Sequence, residues 1–286
     1  MANIRRSPIW PDPRVKPPFG AAQITWGHPL AQGLSAYFPM NESGGRTVHN
    51  LVNNQNGSLV GPVWTPSLRG AALLFDSVND YIGLAAFPLL SSGVPFAISW
   101  WEQITANTNA YPGRFILDVS GSATYFLVLR STDVVSPAYA PLTWGASPGT
   151  SVGMTAVDAP SVATSIGVWR HWVITGTNPL SSVTADHQLY VDGISYATSR
   201  GSNFGTVVNN RIGYYGADNG PDAIIDNVAI YNGRQLSSDA VRWLFTEPYA
   251  FLQPVIRRRW FVPAAAGAPT GGVVTPRSLG LLGVGA

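Results

Sequence analysis

The chain has 286 residues and a formal net charge of +2, and only 11% of its residues are charged, against about a quarter in an average globular protein. That balance argues against a nucleic-acid partner held by phosphate contacts. The lack of cysteine excludes disulfides and thiolate metal sites, and no run of about 18 apolar residues is present to cross a membrane as a helix. The 30 glycines, 23 prolines and 11% aromatics point to strands separated by turns, enough for one large β domain or two small ones.

Residues 1–33 read as an arm. Pro8, Pro11, Pro13, Pro17, Pro18 and Pro29 favour extended chain over packed structure. It is either a disordered tail or a docking arm with Trp10, Phe19 and Trp26 as apolar anchors. Its first residues carry the charges of a signal peptide but no apolar h-region, so no export signal is read. Lys16 is the only lysine; the preference for arginine reads as compositional bias.

The globular part is expected from residue 34. Leu34, Ala36 and Phe38 alternate with Ser35 and Tyr37 as in a strand. Asn50 to Gly57 is turn-rich, with Gly57 as the residue of positive φ. Strands follow at Ala71–Phe75 and Asp80–Leu84, joined by Asp76-Ser-Val-Asn, and a strong one at Phe96–Ile104. Arg114–Val119 and Thr124–Arg130 pair across a Ser-Gly turn. Residues 131–165 are the least readable, with loops and short strands carrying Tyr139, Trp144 and Met154.

Trp169–Gly176 is apolar on both faces, as a central strand is. Asp192-Gly193 between Gln188–Val191 and Ile194–Thr198 is a strong hairpin signal. Val207–Gly213 is the next strand. Then Ile224 to Phe245 reads as a strand, a Gly turn and a short helix capped by Ser237, with Val241, Leu244 and Phe245 on one stripe. Period-2 alternation puts Asp226, Val228 and Ile230 on one face, a carboxylate on the apolar side, which is costly unless paired, hydrogen-bonded or metal-bound. Residues 248–286 read as a second arm, with an Arg257-Arg258-Arg259-Trp260 cluster and a Pro/Gly/Ala-rich end.

Four motifs in this order resemble LamG-like, concanavalin A-like domains of the lectin and glucanase jelly-roll type: "Leu-Phe-Asp…Asn-Asp-Tyr-Ile" at residues 74–82, read as a hairpin, Trp169-x-His171, Leu189-Tyr190-Val191-Asp192-Gly193, and the closing strand and helix. The resemblance spans about residues 34–247. It implies an all-β, two-sheet antiparallel jelly-roll sandwich with one short C-terminal helix and an extended arm at each end. The ending, with Pro-Tyr, Phe-Leu-Gln-Pro and arginines before an aromatic, resembles phage-encoded members of the family, which are virion-associated.

Catalysis finds little support. Glucanases of this fold set Glu and Asp at i and i+2 on one strand face, and retaining glycosidases need carboxyls about 5–5.5 Å apart. Here Glu42, Glu102 and Glu247 are the only glutamates, and none has a carboxylate two residues away. Asp218 with Asp222 reads as a pair of solvated turn acids. No Gly-x-Ser-x-Gly elbow is present, and His171 at mid-strand reads as a hydrogen-bonded core histidine.

The resemblance implies calcium at a loop rim, held by hard oxygen ligands. Asp76, Asp80, Asp218, Asp222 and Asp226 are candidates, although Asp226 reads better as a carboxylate accepting hydrogen bonds inside the sandwich. Tyr111, Tyr139, Trp144, Tyr214 and Tyr215 lie in or beside loops and are candidates to stack on a sugar ring, with Tyr139, Trp144, Tyr214 and Tyr215 preferred. Trp100, Trp101, Trp169 and Trp172 read as core.

The leading expectation is a non-enzymatic bacteriophage virion protein, a capsid decoration protein with an outward sandwich and a homo-oligomeric habit. Both arms would bind other virion proteins, the major capsid protein or tail and collar proteins, through Trp10, Phe19, Trp26, Arg257, Arg258, Arg259 and Trp260. It would be made in the host cytoplasm and released by lysis. The alternative is a carbohydrate-binding module of a tail or collar protein that holds a surface glycan; a glycosidase ranks third.

Overall fold

Alternating and β-branched runs become strands, and Gly, Asn, Asp and Pro break them. The structure is a computed structural model. It describes residues 10–76, 78–84, 90, 93–106, 113–118, 126–131, 142–145, 153–156, 165–177, 187–196, 198–199, 210–213 and 221–255. In chain order the strands are β1 (Ala22–Ile24), β2 (Leu34–Phe38), β3 (Thr47–Val48), β4 (Gly57–Val60), β5 (Val63–Ser67), β6 (Gly70–Asp76), β7 (Tyr81–Leu84), β8 (Phe96–Ile104), β9 (Gly113–Asp118) and β10 (Phe126–Ser131). They continue with β11 (Leu142–Gly145), β12 (Gly153–Ala156), β13 (Trp169–Gly176), β14 (His187–Val191), β15 (Ile194–Tyr196), β16 (Thr198–Ser199), β17 (Asn210–Ile212), β18 (Asp222–Asn232) and β19 (Leu252–Pro254). The helix α1 (Ser238–Thr246) lies between β18 and β19, with the Ser237 hydroxyl accepting from the Ala240 N–H.

The strands form an antiparallel sandwich. One sheet runs β16-β12-β11-β10-β9-β17-β7-β4-β3, the other β15-β14-β13-β8-β18-β6-β5, with β2 also paired to β18. The Asp192-Gly193 hairpin is present, both residues at positive φ (51° and 79°) as a two-residue loop between right-twisted strands demands. The 74–82 motif is not a hairpin: β6 and β7 belong to different sheets, so the intervening residues cross between layers. Gly57 opens β4, and the left-handed residue of that turn is Asn54 (φ 59°). A Cβ on Gly57 would meet Ile82 at 2.4 Å, so close strand approach explains the glycine.

Period 2 sorts the core into two layers. Ile98, Trp100, Trp172, Ile174, Leu189 and Ile230 face the space between the sheets. Their neighbours Ala97, Val173, Tyr190, Ala229, Tyr231 and, on β2, Tyr37 face outward, yet they are also buried. Three pieces cover them: residues from Ala22 to Ala31, the α1 face of Ala240, Val241 and Leu244, and the run Tyr249–Leu252. This is why β13 is apolar on both faces.

The segment expected as an N-terminal arm is therefore, from Trp10 onward, part of the packed unit, and so are residues 248–255. The compact unit runs to Val255, not 247, and the boundary expected at 33/34 falls inside it. β1 pairs with β19. Further backbone bonds run from Trp10 N to Leu252 O (3.0 Å), Tyr249 N to Pro13 O (2.9 Å), Thr25 N to Phe251 O (2.8 Å) and Val255 N to Ala21 O (2.9 Å). Prolines there set the path without preventing packing, because extended chain needs few N–H donors. Residues 256–286 lie outside the described residues.

Removing residues 1–33 strips the cover from Tyr37, Val173, Ala229 and Tyr231. The shortened chain is expected to bind a hydrophobic dye and melt several degrees lower in a thermal scan. An unchanged melting curve would show the segment to be dispensable.

Candidate functional site

β18 carries a bulge. Its register against β8 shifts between Asp226 and Ala229, and Asn227 takes φ 52°. The extra residue resets the alternation: Ile225 and Val228 both face the inter-sheet core, and Asp226 faces outward. The expectation that Asp226 shares a face with Val228 and Ile230 is corrected by this bulge. At the same point β18 changes its neighbour, from β6 (through Ile225) to β2 (from Val228).

Lys16 fills that junction. Its ammonium donates to Asp226 Oδ1, to the Ala71 carbonyl on β6 and to the Met40 carbonyl just after β2 (3.3 Å). Three protons meet three acceptors, so the group is satisfied. The other Asp226 oxygen accepts from the Ser67 hydroxyl (3.3 Å). Both side chains are almost wholly buried. Burial pushes Lys16 down and Asp226 up from their ordinary pKa values, and each charge opposes the shift in the other. Asp226 is thus not a calcium ligand: an ammonium stands where the metal would.

Beside the pair lies an aromatic stack. The Arg69 guanidinium sits 3.7 Å over the Trp101 ring. Trp101 stacks on His171 (5.0 Å, 30°) and on Phe245 of α1 (5.7 Å, 16°). His171 Nε2 and Ser99 Oγ are 2.8 Å apart, the spacing of a base and a nucleophile. Chemistry is closed to them. Both are buried, and burial with the Arg69 charge pushes His171 from 6.5 to about 3, too weak a base to take the proton. Asp192 does not orient the ring; it accepts from the His171 backbone N–H (2.8 Å) and from Arg170 (2.7 Å). His171 is the hydrogen-bonded core histidine that its position suggested.

Asp76 and Asp222 stand opposite each other in the β6–β18 register. Asp76 accepts from the Val78 N–H (3.0 Å) and Asp222 from the Thr105 hydroxyl (3.0 Å). Asp80 accepts from the Asp76 N–H (2.9 Å), and burial pushes its carboxyl up to about 6. Among the described residues no three His, Asp or Glu side chains converge as a metal centre requires. Asp218, Tyr139, Tyr214, Tyr215, Arg257, Arg258, Arg259 and Trp260 lie outside the described residues, and for Trp144 only its place in β11 is described.

The three expected anchors separate. Trp10 packs against the outer-layer core and donates from Nε1 to Val15 O (3.0 Å). Phe19 is exposed and leans on His49 (4.7 Å), which meets Glu42 at 3.1 Å. Trp26 is exposed. Its turn, closed by the His28 N–H on Thr25 O (2.8 Å), brings the His28 ring to 4.7 Å from Trp243 of α1. Sequence reasoning missed Lys16, Arg69 and Trp243. A carboxylate within an apolar strand and a single lysine were the available signals.

Comparison with known families matches the concanavalin A-like lectin/glucanases superfamily over residues 76–242. No curated protein matches in sequence. Solved structures with a similar fold include the binding domain of Paraclostridial Mosquitocidal Protein 1 (TM-score 0.55, 18% identity, 76% of this chain and 52% of that one). Another is Trypanosoma rangeli sialidase in complex with sialic acid (0.53, 16%, 74% and 32%). A third is domain 4 of an extracellular arabinanase from Geobacillus stearothermophilus in complex with arabinotriose (0.52, 17%, 78% and 98%). The match spans about a third of the sialidase chain. At these identities the likeness is one of fold.

Lys16→Met leaves Asp226 buried and unpaired and is expected to cost about 3–5 kcal/mol in urea unfolding; the double variant Lys16→Met/Asp226→Leu recovers stability over the single one. The unfolded chain protonates His171 below about pH 6.5 and the folded chain does not. Its contribution is therefore complete above that pH and is lost as pH falls toward about 3. The stability gap between the unaltered chain and His171→Gln is expected to narrow as the pH of the unfolding experiment drops from about 7 to about 4.

Proposed function

The chain belongs to the concanavalin A-like lectin/glucanases superfamily, and we propose that within it the chain is a non-enzymatic recognition module that binds a saccharide. The observation that carries the non-enzymatic part is the employment of the main acids among the described residues. Asp226 is paired with Lys16, Asp192 with Arg170, Glu42 with His49, and Glu247 accepts from Trp243. A glycosidase needs one carboxyl free to give a proton and a second free to attack or to activate water. Asp76 and Asp222, which do face each other, accept hydrogen bonds from a turn N–H and a threonine hydroxyl, the work of acids that hold loops. The saccharide part is supported by the family and by the arabinotriose complex of the arabinanase domain, which the match covers almost entirely.

The module is proposed to belong to a bacteriophage virion, in the capsid, collar or tail. What supports this reading is the phage-like ending of the sequence. The attachment role moves, however. Residues 10–33 are spent on covering their own sandwich, so attachment to a neighbouring virion protein is assigned to Arg257, Arg258, Arg259 and Trp260, with Phe19 as an exposed contributor.

A glycan microarray probed with the purified chain tests recognition, and incubation with β-glucan, arabinan and sialosides tests catalysis. Saccharide binding without release of products is expected; hydrolysis, or a blank array, contradicts the proposal. Mass spectrometry of particles purified from a producing culture is expected to find the chain as a particle protein, and its confinement to the soluble lysate would contradict virion membership.

A further inference from the structure

We propose that the saccharide is held where the Thr25–His28 turn meets α1, by Trp26, His28, Trp243 and Glu247. This assignment rests on the saccharide-binding reading above. Trp26 is 55% exposed and Trp243 37% exposed, whereas most of the other large aromatics among the described residues are buried. Trp243 is held through its side chain, and the backbone on either side of Trp26 is fixed. The turn bearing Trp26 is pinned by Thr25 N on Phe251 O and by His28 N on Thr25 O (both 2.8 Å). Trp243 Nε1 donates to Glu247 Oε2 (2.9 Å), which fixes the indole plane. A platform set before binding loses little conformational freedom on capture.

The polar groups beside Trp243 choose the ligand. His28 Nδ1 accepts from the Leu30 N–H (3.1 Å), so the neutral ring carries its proton on Nε2 as a donor. Burial lowers the His28 pKa, which favours that neutral form, although the nearby Glu247 charge works against the shift. Glu247 keeps a second carboxylate oxygen as an acceptor. A donor and an acceptor beside an aromatic face match a ring bearing hydroxyls, since each hydroxyl both donates and accepts, while its C–H face lies on the indole. The same carboxylate disfavours phosphate-bearing ligands, and an apolar protein partner would have to bury its charge without a cation to offset it. The occupant is therefore a neutral pyranose. The site lies on the outer side of the eight-stranded sheet, on the covering layer, and uses none of Tyr139, Trp144, Tyr214 or Tyr215.

The test is titration of the full chain, by calorimetry, with cellotriose, maltotriose and chitotriose, repeated with Trp26→Ala, Trp243→Ala, Glu247→Gln and Trp144→Ala. Circular dichroism melting checks that each variant is folded. The expected result is binding of at least one neutral trisaccharide by the unaltered chain, weakened about ten-fold or more by each of the two changes Trp26→Ala and Trp243→Ala. Glu247→Gln keeps an acceptor for Trp243 and loses the charge, so it is expected to weaken the neutral sugar less and to raise affinity for glucose 6-phosphate. Binding unchanged in Trp26→Ala and Trp243→Ala but lost in Trp144→Ala overturns this placement and leaves saccharide recognition standing. No binding of any of the three sugars by the unaltered chain overturns the placement, and a blank glycan array overturns the recognition reading with it.

Discussion

The Lys16 ammonium has three protons, and the fold supplies three acceptors for them from three different strands or their ends. That arrangement exists because β18 bulges at Asn227 and exchanges β6 for β2 as its neighbour. Where two strands part beside a third, main-chain carbonyls lose their ladder partners and a carboxylate is turned outward. Left bare, these groups would oppose burial. Breaking such a pair by removing one partner is costly, because the survivor is an uncompensated charge. The residue that closes the gap lies 210 positions from Asp226 in the sequence. It arrives on a segment that has to cross the outer face of the sheet to reach it.

The covering layer follows from that crossing. Once residues 10–33 lie over the sheet, Ile24 and Leu30 can bury Tyr37, Val173 and Tyr231, and β19 can pair with β1. α1 completes the cover, with Phe245 extending the Trp101–His171 stack and Leu236 donating its N–H to Thr175 (2.9 Å). The family match begins at residue 76, yet the unit it belongs to is sealed by chain from before and after it. The sandwich supplies the frame; the segment of the chain that looks least like a domain supplies much of the second core and the exposed indole of Trp26.

Much of this was legible. The Asp192-Gly193 turn, the Ser237 cap, the Trp100 and Trp172 core and the two-faced strand at Trp169–Gly176 each follow from local chemistry, and the structure has them all. The bulge at Asn227 was not legible, because a single extra residue inverts a period-2 pattern without changing composition. The partner of Asp226 was not legible either. Its cost could be read from its place in an apolar strand, but pairing across the length of the chain has no local signature, and six prolines made the partner's segment look unstructured. Trp243 was hidden by its helix: the stripe that packs, Val241 and Leu244, is periodic, while an exposed indole between them reads as surface.

Lys16 is the chain's only lysine, so amine chemistry reports on this junction alone among the side chains. The most direct measurement is acylation with an amine-reactive ester, mapped by mass spectrometry in the folded and the urea-unfolded chain. A buried, ion-paired Lys16 predicts no modification at that residue until the chain unfolds, with rapid modification afterwards. Acylation of Lys16 in the folded chain at the rate of a free lysine would mean that the ammonium lies in solvent, and the account of how this sandwich is sealed would be wrong.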